Sequence, residues 1–186
     1  FAVVRDVYRD QENILLVDIG GEVTDIAMAK RNVLRESVSF PLGRNFIIRG
    51  VSSILKCSLE EAKSFITLFK DGHATVSVAA KIGPVIEKLQ KEWLEKFQQS
   101  LANLSNDISI PSTIHMVVDK DLADFFRQTI EIEQFNQYTL TESKFKVVFL
   151  DTEVFHGMTV FEGNTIRDPG LIIDSIYICR FLNQTL

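Results

Sequence analysis

Cysteine, histidine, proline and tryptophan are all scarce in this chain of 186 residues, which holds two, three, four and one of them. Cys57 and Cys179 lie far apart in apolar surroundings, at a spacing that suits neither a metal site nor a redox pair. A disulfide scaffold is excluded, and both are expected as buried free thiols in a reducing cytoplasm. His73, His115 and His156 share no ligand-like spacing. Positive charge is short too: 20 Lys and Arg against 25 Asp and Glu give a net charge of −5. That argues against a nucleic-acid partner, which needs a basic face. No apolar run reaches the roughly 18 residues of a membrane span. The given residues show no signal-peptide pattern, and no Ser or Cys stands in a nucleophile-elbow pattern. Residue 1 is Phe rather than Met, so a fragment is expected.

Apolar residues make up 46% of the chain, enough for a buried core in one domain or one lobe. Ile14 to Ile19 is a branched, buried-type run. Thr24 to Lys30 follows as a second strand, Arg31-Asn32 as a tight turn, and Val33 to Phe40 as a third strand. Together they predict an antiparallel meander. A helix is expected over Asn45 to Leu55. Ser58 and Glu61 form a capping box that opens the next helix, which explains Glu60 and Glu61 better than catalysis does. Val76 to Leu104 reads as one long helix, with Leu89, Trp93, Phe97, Leu101 and Leu104 as its core stripe and Gly83-Pro84 near its start. A strand at Thr113 to Val118 and a helix at Asp119 to Thr129 come next. Residues 130–166 look β-rich, with Phe145 to Leu150 the clearest strand. Leu171 to Leu182 is expected as a buried helix, because it lacks the basic face of an interfacial anchor.

The stretch "LLVDIGGEVTDIAMAKRNVLRE" carries the chemistry. Asp18 ends a buried strand, Gly20 and Gly21 make a turn, and Thr24 begins the next strand. Glycines let backbone N–H groups approach a phosphate closely. Asp18 can hold Mg²⁺ through water, and the Thr24 hydroxyl can add a phosphate contact. On the two glycines alone, a plain hairpin turn is an equal reading.

The order of elements around that turn resembles the second phosphate motif of the actin-like ATPase superfamily, in its FtsA and PilM branch. The residues concerned are Asp18 to Gly21, Thr24-Asp25-Ile26, "FPLG", a helix and "SLEEA". "DPGLIIDSIYICRFL" is similar to the family's closing helix. The resemblance implies an α/β, actin/ribonuclease H-like lobe: a mixed sheet led by the three-strand meander and flanked by helices. The whole of 1–186 would be the second lobe of a two-lobed protein, with a helical side region at about 58–104. ATP and Mg²⁺ would bind between the lobes of the full-length protein, and none is expected on this lobe alone.

The chain departs from that pattern at three places. Glu22 stands where the family has a third glycine, and Val23 replaces a Thr or Ser. Lys63 and Ile66 replace a Glu and a Lys that touch adenosine. Asp119-Lys120 replaces the Gly-Gly pair of the adenosine loop. A carboxylate near a triphosphate is repulsive, and a Cβ blocks close backbone approach. These changes imply a degenerate nucleotide site. The resemblance then implies a scaffold at the cytoplasmic face of the inner membrane, in cell division or type IV pilus assembly. Its partners would be the other lobe, proteins of that machinery and further copies of itself. Two alternatives stand beside it: an active ATPase that binds ATP-Mg and polymerises, and a lobe that binds a short peptide without nucleotide.

Overall fold

The structure, a computed structural model, describes residues 1–104, 110–133, 144–163 and 168–182. In chain order the elements are α1 (Ala2–Val7), β1 (Asn13–Ile19), β2 (Thr24–Lys30), β3 (Val33–Phe40), α2 (Arg44–Leu55), α3 (Leu59–Lys70), α4 (Val76–Leu104), β4 (Thr113–Val118), α5 (Lys120–Ile132), β5 (Lys146–Phe149) and α6 (Pro169–Tyr177), which runs on into a π-helical turn, Ile178–Leu182. The sheet order is β3-β2-β1-β4-β5. Strands β1, β2 and β3 pair antiparallel, while β1–β4 and β4–β5 pair parallel. The mixed α/β architecture expected from the sequence is therefore present.

Strand pairing follows from local chemistry. Arg31 and Asn32 both take positive φ, 51° and 60°, the left-handed pair that a two-residue hairpin requires. Along β1, Leu15, Val17 and Ile19 face one side of the sheet, and Ile14, Leu16 and Asp18 the other. The first side packs on α2 to α5 through the main core, which includes Trp93, Phe97, Phe126 and Ile66. The second side carries a smaller core under α1 and α6, with Val3, Val4, Phe155, Ile172 and Ile176. Helices over 58–104 share the main core with the sheet. The capping box is formed: Ser58 Oγ accepts from Glu61 N–H, and Glu61 accepts from Ser58 N–H at 2.8 Å. All five residues of the α4 stripe are buried.

Three expectations need correction. Residues 130–132 continue α5, and 150–163 form turns with one isolated bridge, so the β-rich reading holds only for β5 among the described residues of 130–166. Branched and aromatic residues there serve packing, as Phe155 in the smaller core does, rather than strand pairing. α6 is not buried all round: Ile172 and Ile176 face the sheet, while Leu171, at 63% exposure, and Ile178 face outward. It is an outer-layer helix, so only one stripe meets the sheet. The cysteines are free but not buried: Cys57 is half-buried at the α2–α3 junction, and Cys179 is exposed on the outer turn. Among the described residues no helix is long and apolar enough to cross a membrane.

Candidate functional site

The turn after β1 is bound to the start of α2. Gly20 N–H donates to Val23 O at 2.9 Å and closes the turn. Its carbonyls then face outward. Arg44 N–H donates to Gly20 O at 3.0 Å, and Asn45 N–H to Gly21 O at 2.8 Å. α2 has no side-chain cap of its own, and these carbonyls satisfy two of its orphan donors. The approach needs glycine at position 43: a Cβ there would lie 2.5 Å from both carbonyl oxygens. Glu22 completes the contact. Its carboxylate accepts from Arg49 through both oxygens at 2.7 Å and from Asn45 Nδ2 at 2.9 Å. Those hydrogen bonds, Arg49 first, hold its pKa down at about 2. The charge expected to repel a phosphate is thus matched by Arg49 and turned toward α2.

Asp18 lies on the other side of the turn, in a cavity of about 110 Å³ at the carboxyl end of the sheet. Gly20, Arg44, Val118, Asp119 and Gly170 line it as well. Arg44, the first residue of α2, forms an ion pair with Asp119, the N-cap residue of α5. Burial among packed atoms raises the Asp18 pKa, and the carboxylates of Asp25, Asp174 and Asp168 raise it further. Asp25 lies opposite Asp18 in the β1–β2 register and accepts from Ser39 Oγ. Asp168 caps α6, accepting from Leu171 N–H at 2.9 Å. A neighbouring cavity of about 320 Å³ shares Val118 and Pro169 and is lined by Lys120, Arg127 and Phe149.

The other sequence-derived positions scatter. Thr24 is fully buried, and its hydroxyl donates to Leu42 O at 2.8 Å and accepts from Trp93 Nε1 at 3.3 Å. A phosphate contact from Thr24 is therefore corrected: the group is spent inside the fold. Val23 is 38% exposed on the turn. Ile66 lies in the main core at 1% exposure, and Lys63 on the same helix pairs with Glu60 at 3.2 Å. Asp119 lines the Asp18 cavity and Lys120 the neighbouring one. α3 is tied directly to α5 by Lys70–Asp124, at 3.3 Å. Sequence reasoning missed Arg44, Arg49, Asn45 and Asp168. Only Asp168, before Pro169 at a helix start, carried a local signal.

On this lobe the space beside Asp18 is small and its cation is already paired. Small-molecule pockets run to roughly 300–1,000 Å³, well above the Asp18 cavity. Its one cation is paired, and among the described residues no group of three or more His, Cys, Asp or Glu is placed to hold a metal ion.

No family model matches the sequence, and no curated protein matches it. Solved structures do. An archaeal actin homologue superposes with a TM-score of 0.50 at 16% identity, covering 81% of this chain and 47% of its own. The chain has an actin-like fold. The ethanolamine utilization protein EutJ from Carboxydothermus hydrogenoformans matches at 18% identity and a TM-score of 0.47, over 77% of this chain and 46% of its own. A PilM–PilN type IV pilus biogenesis complex matches at 16% identity and a TM-score of 0.49, over 68% and 36%. The chain spans about half the length of these proteins or less. In this actin-like fold, the β1–β2 turn with Asp18 and the β4–α5 junction with Asp119 stand side by side at one end of the sheet.

Proposed function

We propose that this chain is the second lobe of an FtsA/PilM-like scaffold whose nucleotide site has degenerated. The reading is carried by the ion pair between Arg44 and Asp119 beside Asp18. It takes up the one cation lining the cavity and leaves two further carboxylates, Asp18 and Asp168, around a small space. A polyphosphate would have to break that pair and enter a field of negative charge. The Thr24 hydroxyl and the two leading amides of α2 already have partners within the fold, which supports the same reading. The lobe then works as a preformed surface for protein partners in division or pilus assembly, at the cytoplasmic face of the membrane. ATP, Mg²⁺ and turnover have no part in it. Isothermal calorimetry of the full-length protein with ATP-Mg is expected to give no binding heat. Micromolar binding abolished by Asp18→Ala would favour an active ATPase instead.

A further inference from the structure

Three ties join separate elements at the carboxyl end of the sheet: Arg44–Asp119, Glu22–Arg49 and Lys70–Asp124. Of these, only Arg44–Asp119 lines the Asp18 cavity. Arg44 opens α2, whose backbone is fixed on the Gly20-Gly21 turn. Asp119 sits between β4 and α5, and its side chain makes no N-cap bond to α5. The carboxylate is thus available to Arg44 rather than to its own helix. Arg44 Nε, by contrast, is buried with no acceptor among the described residues. A buried donor without a partner is costly, so the guanidinium is held here by its pair with Asp119 and not by a complete set of bonds.

We propose that the Arg44–Asp119 pair is an intramolecular latch: it clamps α2 to the β4–α5 junction and shuts an anionic ligand, of the polyphosphate class, out of the Asp18 cavity. The clamp stands on geometry alone. The identity of the excluded ligand rests on reading the cavity as a reduced nucleotide site. Opening the latch from the acidic side frees the Arg44 guanidinium for an anion. Opening it from the basic side leaves only carboxylates. The two single substitutions therefore differ in what they expose, though each breaks the same pair.

The test uses the full-length protein and four forms: wild type, Arg44→Gln, Asp119→Asn and the double variant. Backbone amide exchange is followed over 18–22 and 117–122. Each single variant is expected to speed exchange there about threefold to fivefold, the scale of a partly exposed ion pair. The double variant is expected to match the faster single. Rates that multiply in the double would overturn the clamp. Inorganic pyrophosphate is then titrated into each form. Asp119→Asn is expected to bind at least tenfold tighter than wild type, and Arg44→Gln no tighter. No gain in Asp119→Asn would overturn the exclusion. If the variants fail to fold, the charge swap Arg44→Asp with Asp119→Arg replaces them; it restores wild-type exchange only if the pair itself matters. ATP binding by wild type with the coupling intact would sink the degenerate-site reading and leave the clamp standing. No ATP binding with independent rates would do the reverse.

Discussion

Glu22 and Asp18 stand four residues apart, and their surroundings push them in opposite directions. Glu22 is ionised in the fold far below the ordinary carboxylate range, at about 2, because Arg49 and Asn45 hold its charged form. Its contribution to stability is complete above the ordinary carboxylate pKa and is lost as pH falls through about 2. Thermal midpoints of wild type and Glu22→Gln should therefore differ at pH 7 and converge as pH falls toward 2; a pH-independent gap would contradict the assignment. Asp18 has the opposite sign. Its raised pKa means that ionisation costs stability as pH rises through the folded value, so Asp18→Asn should raise the midpoint at pH 7 and give no gain below the ordinary carboxylate range. Trp93 marks a third kind of residue. Its indole N–H donates to Thr24 Oγ and to Leu42 O at 3.2 Å, beneath the loop that precedes α2. Trp93→Phe removes the indole donor while Thr24 still serves the Leu42 carbonyl, and should cost about 0.5–1.5 kcal/mol in a denaturant titration followed by circular dichroism.

At the scale of elements, the contact between the β1–β2 turn and α2 organises the site. Gly43→Ala drives a Cβ into two backbone carbonyls, which can move only with the turn. Gly50→Ala meets a side chain, Leu89, rather than backbone. Gly43→Ala should therefore be the more destabilising of the two, by about 1–3 kcal/mol, and urea midpoints will rank them. Much of this layer was legible in the sequence. β2, β3 and β4 have the expected limits, and so does α4, because alternation and helical spacing report burial directly. Ser58 and Glu61 were legible as a cap because both partners lie within one turn. The partners of Glu22 and Asp119 were not. Arg49 and Arg44 lie far away in sequence, and only tertiary packing brings them close. Thr24 misled for a related reason: a hydroxyl beside a glycine turn suits a phosphate and a buried indole equally well, and nothing local distinguishes them. The apolar last helix misled because composition records how many faces could be buried, not how many neighbours exist.

For the whole molecule, one sheet separates two cores, and a buried histidine lies in its β4 strand. His115 lies in the β4 strand at 1% exposure, its ring 4.3 Å from that of Tyr8. Burial lowers its pKa, so the unfolded chain takes up the proton first. Stability should fall as pH drops below the ordinary histidine range, and His115→Phe should remove that part of the slope. The same molecule joins an actin-like sheet to a cavity of about 110 Å³ lined by Asp18, Asp119 and Asp168. Under the proposed reading, the fold is kept and nucleotide binding is lost. Calorimetric titration of the full-length protein with ATP, with and without Mg²⁺, tests it most directly. No binding heat is predicted in either condition. A micromolar, Mg²⁺-dependent isotherm that disappears in Asp18→Ala would contradict it.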